Sequence, residues 1–158
     1  MNYKKYRGRP SLRLEGADYG TPVTYAVSFN TKGRAPHFRD PRLAASLLSI
    51  IIRTRLEEGF YVYGYCIMPD HVHLMIQPLG KTTLPRIVRL IKGRMTASFR
   101  KTRPAVKLWQ RGYVDNVING RREFESVFAY IILNPIKGGL SEREYEYPFS
   151  GVLDYFNL

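Results

Sequence analysis

The chain has 158 residues, 44% of them hydrophobic and 13% aromatic, which suits one folded domain and excludes a disordered chain. No apolar run reaches the roughly 18 residues of a membrane span, the basic start lacks a signal-peptide core, and the single Cys66 excludes an internal disulfide. The net charge of +12 favours a polyanionic partner such as nucleic acid. We therefore expect a soluble, cytoplasmic protein that acts without a membrane.

The positive charge begins in an N-terminal arm, residues 1–20, where no periodic pattern predicts an element. The first thirteen residues hold five basic and no acidic side chains. We expect four of these to contact DNA: Lys4, Lys5, Arg7 and Arg9. The other 20 basic residues still exceed the 13 acidic ones, so the folded body, residues 21–158, is basic as well.

Hydrophobic periodicity predicts four strands and three helices after the arm. Asp40 and Pro41 form a helix start, and Gly59 a helix stop. The predicted order is a strand at 21–29, a helix at 41–59, strands at 60–67 and 71–77, a helix from 83, a strand at 113–118 and a helix at 121–134 that stops before Pro135. This order, β-α-β-β-α-β plus one helix, predicts an α+β fold. It is the ferredoxin-like split βαβ arrangement, an antiparallel sheet with both crossover helices on one face.

Two histidines lie on the predicted third strand, which is central in this arrangement. His71 and His73 are two residues apart, so both should project from one face of the sheet. Val72 and Leu74 should face the crossover helices, which leaves the histidines on the open side. A lone histidine is usually structural, but a pair on one face suits a metal ion, although two ligands rarely hold one alone.

The third helix should cover the histidine face. Its predicted buried stripe consists of Phe124, Phe128, Ile131 and Ile132. Tyr130 and Asn134 fall roughly opposite that stripe, one turn apart on the same side. Among 12 tyrosines none is special by type, but Tyr130 is followed one turn later by an amide and lies beside the predicted histidine face.

The second helix carries basic residues opposite its apolar stripe. Four of them are candidate phosphate contacts: Arg86, Arg89, Arg94 and Arg100. An ordinary solvated helix face is the alternative, and the absence of acidic residues on that face favours phosphate binding. Together, a histidine pair, a tyrosine and a basic surface suit attack of a tyrosine hydroxyl on a phosphodiester, which would store the bond energy in a phosphotyrosine link.

Four stretches carry a family resemblance: GFYVYGYCIMPDHVHLMI, LWQRGYVDNVI, YIILNPIKGGL and YPFSG. Over about residues 21–151 the chain resembles the REP-associated tyrosine transposases, which are bacterial single-tyrosine HUH transposases. The resemblance implies that Tyr130 is the nucleophile and that His71, His73 and Asn134 bind Mg²⁺ or Mn²⁺. It also implies a ferredoxin-like fold and a single-stranded DNA substrate with hairpins, cleaved to a 5′-phosphotyrosine and a free 3′-OH.

The sequence departs from the family pattern at two places and leaves alternatives open. Asp70 stands where the family commonly has Asn, and 149–151 replaces a common Trp-Ser-Ser. His37 could in principle complete a three-histidine zinc site, but it precedes the first crossover helix and should lie on the other side of the sheet. The rival function is binding of hairpin DNA or structured RNA without cleavage. Association with the nucleoid and a homodimer are further expectations.

Overall fold

The computed structural model describes residues 22–155 as a five-stranded antiparallel sheet with helices on both faces. Its elements are β1 (Tyr25–Asn30), α1 (Pro41–Glu58), β2 (Phe60–Met68), β3 (His71–Pro78), α2 (Leu84–Arg100), β4 (Val114–Val117), α3 (Gly120–Lys137) and β5 (Ser150–Gly151). The strand order β4-β1-β3-β2-β5 confirms the ferredoxin-like arrangement with β1 and β3 in the centre. No described helix is long and apolar enough to cross a membrane.

The first crossover helix begins and ends at the residues that its sequence predicts. The Asp40 side chain accepts a hydrogen bond from the Arg42 N–H, and Pro41 occupies the first turn. Gly59 adopts a left-handed conformation, φ 71°, and its N–H bonds to the Arg55 carbonyl. A residue with a Cβ rarely adopts this φ, so glycine lets β2 start directly after α1.

One face of the sheet packs against α1 and α2 and forms the larger core. Val72, Leu74 and Ile76 of β3 are fully buried there, as the alternation predicts. The helices contribute side chains that are almost completely buried: Ala44, Leu47 and Ile51 from α1, and Ile87, Val88, Ile91, Met95 and Phe99 from α2. This layer is continuous and apolar, so it carries most of the hydrophobic stabilisation.

The other face packs against α3, and an irregularity in β2 helps to form it. The pairing of β2 with β3 shifts between Val62 and Gly64. Beyond this shift, the residues of β2 that point towards α3 have even numbers instead of odd ones. Tyr63, Cys66 and Met68 therefore all belong to the cluster under α3. Gly64 lies under α3, where a Cβ would sit 3.5 Å from the Phe128 ring. A Cβ there would make ordinary van der Waals contact, so α3 packs closely on β2 at this point.

The predicted end of the third helix at Asn134 is wrong, because α3 continues through Pro135 to Lys137. Proline lacks a backbone N–H, but Pro135 lies in the last turn of α3, two residues before the helix ends. Gly138 N–H donates to the Asn134 carbonyl, and Leu140 N–H donates to the Pro135 carbonyl. The backbone is thus still paired around the proline.

No sequence pattern predicted the short strand β5, which lies within the divergent residues 149–151. Ser150 and Gly151 pair with Cys66 and Tyr65 at the β2 edge of the sheet. Tyr147 also donates its hydroxyl hydrogen to the Ile67 carbonyl at 2.9 Å. In this chain the stretch therefore closes one edge of the sheet.

Candidate active site

The histidine pair lies at one end of β3 on the face covered by α3. His71 pairs with Asn30 of β1 and Met68 of β2, and His73 pairs with Ser28 and Cys66. The two imidazole rings meet edge to face with their centroids 4.9 Å apart. The prediction that both project from the face opposite the crossover helices is confirmed.

Burial keeps both imidazoles in their neutral form. Desolvation lowers the pKa of His71, against the opposing effect of a hydrogen bond to Asp70. Desolvation, together with the nearby His71 and Arg34, lowers the pKa of His73 to about 3. A neutral imidazole has one nitrogen with a lone pair, which is the form that binds a metal ion. Both side chains are therefore able to act as ligands near neutral pH.

Tyr130 reaches the histidines from α3. Its ring meets the His73 ring edge to face with centroids 5.5 Å apart. The predicted helix faces need a correction here: Tyr130 lies on the sheet side with the buried Val127 and Ile131, not opposite an apolar stripe. The predicted stripe itself is buried at Ile131 and Ile132 and partly buried at Phe124 and Phe128, so only the position of Tyr130 relative to it is wrong.

Asn134 lies one turn after Tyr130 and is only 8% exposed. The next turn ends at Gly138, where an added Cβ would come within 2.6 Å of the Met68 side chain. Met68 is the β2 partner of His71. The last turns of α3 therefore lie over the end of the sheet that carries the histidines, and one rigid helix holds both Tyr130 and Asn134.

Three residues at this site were not singled out as site residues. Lys137 places its Nζ 4.9 Å from the centroid of the Tyr130 ring, two turns further along α3. Asp70 and Arg34 form an ion pair beside His71, with Arg34 Nε 2.9 Å from Asp70 Oδ2. The spacing of Lys137 from Tyr130 could have indicated its position, whereas Arg34 is 36 residues from Asp70 and becomes adjacent only in the folded chain.

The surface of β1 and β4 beside the histidines, which we call the shelf, forms one side of the site. In antiparallel pairs, residues directly opposite each other share a face, so Ser28, Val114 and Asn116 lie on the same face as His73. The four residues of β4 are exposed, Val114 by 44%. β4 is therefore the exposed edge strand of the sheet on this side.

The candidate DNA-binding residues of α2 lie on the other side of the sheet from the histidines. Arg86 forms a two-bond ion pair with Glu58, and Arg94 pairs with Glu57 and bonds to Thr54. The α2 face has no acidic residue of its own, but α1 supplies carboxylates to two of its arginines. Arg89 and Arg100 are exposed on α2, on the far side of the sheet from His73. The predicted contacts at Lys4, Lys5, Arg7 and Arg9 lie outside the described residues, as does the arm boundary.

His37 lies in the other layer, as expected. Its ring meets the Phe99 ring of α2 with centroids 5.0 Å apart, and Phe99 belongs to the core under α1 and α2. Within residues 22–155, no three His, Cys, Asp or Glu side chains are grouped so that they could hold a metal ion. The described part thus brings two imidazoles together, and the Asn134 amide lies one helical turn after Tyr130.

The comparisons with known proteins agree with this arrangement. The family described as "Transposase IS200 like" matches residues 21–134. A Haemophilus influenzae protein named "Putative REP-associated tyrosine transposase" is 28% identical over 102 residues, 58% of each chain. The REP-associated tyrosine transposase of Escherichia coli K12 is 24% identical over 101 residues, 63% of this chain and 59% of that protein. The chain thus matches less than two thirds of these relatives.

A solved structure has the same fold. It is a REP-associated tyrosine transposase bound to a REP hairpin, with a TM-score of 0.70 and 22% sequence identity. The likeness covers 81% of this chain and 75% of that chain. At this identity, the comparison shows a shared fold, including the sheet and helices that bring His71, His73 and Tyr130 together.

Proposed function

The chain belongs to the IS200-like transposase family, and from this premise we propose that it cleaves and rejoins single-stranded DNA through Tyr130. The observation that carries the proposal is the contact of the Tyr130 ring with His73 beside His71, on a face next to an exposed shelf. A binding protein would not need a nucleophile, a histidine pair and an amide on two rigid elements.

The donor set fits a divalent metal ion. His71 and His73 are neutral nitrogen donors, and Asn134, nearly buried one turn after Tyr130, offers an amide oxygen. A mixed set of few nitrogen and oxygen donors suits Mn²⁺ or Mg²⁺ with positions left open for other ligands. When bound, such an ion would neutralise charge on the scissile phosphate.

The chain's own residues supply the rest of the reaction. The Tyr130 oxygen forms a bond to phosphorus and loses its proton, while the bond to the 3′ oxygen breaks and that oxygen gains a proton. The product is a 5′-phosphotyrosine and a free 3′-OH. Attack by a second 3′-OH then restores the tyrosine and rejoins the strand without ATP. Since Tyr130 is held on the sheet side of α3, little movement of the helix is needed.

We propose single-stranded DNA with hairpins as the substrate. The net charge of +12 favours a polyanion, and the neighbour of known structure is bound to a REP hairpin. The exposed strand β4 pairs with β1 beside the histidines, and we expect the single strand to bind there. A homodimer and association with the nucleoid stay predictions.

The experiment is adduct formation between the full chain and a panel of single-stranded hairpins with Mn²⁺, followed on a denaturing gel. The expected result is a denaturation-resistant adduct that is lost in Tyr130→Phe, while hairpin binding stays within a few-fold, since one hydroxyl adds little contact area. Tyr145→Phe is the matched control, because Tyr145 is 59% exposed and lies outside the site.

Two results would contradict the proposal. Adduct formation by Tyr130→Phe would show that another tyrosine is the nucleophile, with Tyr113 and Tyr145 tested next. Tight hairpin binding by the unchanged chain without any adduct, over the whole panel, would favour the binding protein instead.

A further inference from the structure

A chain of three side chains lies beside the first histidine, and the proposed reaction does not use it. Asp70 Oδ1 lies 2.6 Å from His71 Nδ1, and Asp70 Oδ2 lies 2.9 Å from Arg34 Nε. Arg34 Nη1 donates to Asn30 Oδ1 at 2.6 Å. Asn30 is the β1 residue paired with His71, so the chain of contacts returns to its starting point on the sheet.

The contact with Asp70 determines which nitrogen of His71 carries the hydrogen. A carboxylate accepts hydrogen bonds and has no hydrogen to donate, so Nδ1 must be the protonated nitrogen. Nε2 then keeps its lone pair. In metal sites, a histidine commonly donates one ring N–H to a carboxylate while the other nitrogen binds the ion. Asp70 therefore prepares His71 in the form of a ligand before any ion is bound.

The backbone around Arg34 is built to bring its side chain to Asp70. Gly33 and Arg34 both have positive φ, 64° and 58°, although a residue with a Cβ is uncommon there. The same segment is tied to the turn before β3, because Thr31 N–H donates to the Asp70 carbonyl at 3.0 Å. Uncommon conformations persist where the surroundings hold them and are concentrated at functional sites.

We propose that Asp70 and Arg34 are positioning residues of the metal site. Asp70 fixes His71 as the Nδ1–H tautomer and orients its ring, and Arg34 fixes the carboxylate of Asp70. The inference rests on the proposed function, because it takes His71 as a ligand. It gives a role to Asp70, one of the two places at which this sequence departs from the family pattern.

The first experiment reads the tautomer directly in the metal-free full chain. Long-range ¹H–¹⁵N spectra of the imidazoles can be assigned because the chain has three histidines. We expect His71 as the Nδ1–H tautomer, retained in Asp70→Asn, whose amide oxygen still accepts. Asp70→Ala should show the Nε2–H tautomer as well. Mn²⁺ affinity, measured by titration without DNA, should fall about 10–100-fold in Asp70→Ala and much less in Asp70→Asn.

The second experiment separates positioning by Arg34 from backbone strain. Arg34→Gly and Arg34→Ala both remove the guanidinium, but only alanine keeps a Cβ at a positive φ. We expect the two variants to lose Mn²⁺ affinity equally, by several-fold, while Arg34→Gly has the higher melting temperature. Asp40→Ala serves as the control, since it removes an ion pair and a helix cap in the other layer. It should lower stability without changing Mn²⁺ affinity.

The proposal is overturned if Asp70→Ala keeps the His71 tautomer and the Mn²⁺ affinity of the unchanged chain. It is also overturned if Asp40→Ala weakens Mn²⁺ binding as much as Asp70→Ala does. The ion pair of Asp70 and Arg34 would then affect the metal site only through the stability of the fold. Both measurements are made without DNA, so they do not depend on whether Tyr130 is the nucleophile. A failure here can thus be told from a failure of the proposed reaction.

Discussion

The strand β3 presents opposite chemistry to the two sides of the sheet. Towards α1 and α2 it presents Val72, Leu74 and Ile76, all without exposed surface. Towards α3 it presents His71 and His73, which remain partly accessible, before the buried Met75. The same eight residues therefore belong to a sealed apolar layer on one side and to a polar site on the other.

This difference follows from how each face is covered. Two long helices cover the first face with a continuous layer of apolar side chains, whereas a single helix packs on the second, where the two histidines stay partly accessible. A partly covered face can hold polar side chains without the full cost of desolvation and still admit a ligand. We infer that the first face supplies stability and the second supplies the reacting groups, so substitutions should separate the two properties.

The largest expected effect comes from comparing a histidine substitution on each face of the sheet. His73→Ala should lower adduct formation by more than about 100-fold, because loss of outer-sphere partners alone costs 10–100-fold in metal sites. His37→Ala removes a ring contact with Phe99 in the sealed layer, so it should lower the melting temperature and leave the rate per folded molecule unchanged. The measurement is the single-turnover rate together with a thermal melt. A folded, inactive His37→Ala would break the comparison and point to a zinc site.

The sequence predicted the elements that depend on local signals. Asp40 and Gly59 mark the ends of α1 through backbone requirements that act within a few residues. Alternation placed His71 and His73 on one face because the period of a strand is fixed. The element order then indicated the fold, since few topologies suit β-α-β-β-α-β.

The features that the sequence did not predict depend on contacts between distant segments. The prediction misplaced the face of Tyr130, because the cluster under α3 includes the partly buried Tyr130 as well as the predicted Phe124 and Phe128. The pairing of Arg86 with Glu58 and the approach of Arg34 to Asp70 join residues 28 and 36 positions apart. Periodicity within one helix or strand carries no information on such partners.

The next largest effect concerns a buried ion pair at the edge of the sealed layer. Asp154, 9% exposed, accepts hydrogen bonds from Arg55 and from the Val62 N–H. Burial raises its pKa, but these hydrogen bonds outweigh burial and hold the pKa below the usual 3.8. Asp154→Ala should lower the free energy of unfolding by about 3 kcal/mol at pH 7, because it leaves buried partners unpaired.

The pH dependence of that loss provides the check. A carboxylate whose pKa is lower in the folded chain stabilises it above pH 3.8, and the contribution disappears as the pH falls through the folded value. Urea unfolding at pH 7 and near pH 3 should therefore show a smaller difference between Asp154→Ala and the unchanged chain at the lower pH. Glu125→Ala, from an exposed pair with Arg121, should cost less than about 1 kcal/mol. If the Asp154→Ala chain kept its stability but lost adduct formation, it would contradict the inference that one face supplies stability and the other the reacting groups.

A smaller effect is expected from Lys137 on the reacting face. Its Nζ lies 4.9 Å from the Tyr130 ring centroid, where it can bind a phosphate oxygen next to the nucleophile. Lys137→Ala should slow adduct formation about tenfold, since a hydrogen bond to a charged group contributes about 1.5–3 kcal/mol. Lys137→Arg should restore most of the rate, and Lys101→Ala on the other side should not change it. A loss of hairpin affinity at an unchanged rate would instead place Lys137 on flanking phosphates.

The smallest effect tests whether DNA extends beyond the reacting face to the outer surface of α2. That surface is separated from His73 by the sheet and at least one helix diameter, about 10 Å. Arg89 and Arg100 have no ion-pair partner among residues 22–155, whereas Arg86 and Arg94 are held by Glu58 and Glu57. If α2 contacts phosphates, the double variant Arg89→Ala, Arg100→Ala should flatten the log–log salt dependence of hairpin affinity by about 1.4, near 0.7 per contact. The matched double variant Arg86→Ala, Arg94→Ala should flatten it less, because those guanidinium groups already have carboxylate partners. An unchanged slope in both would confine DNA to the face of Tyr130 and leave the α2 arginines as a solvated surface.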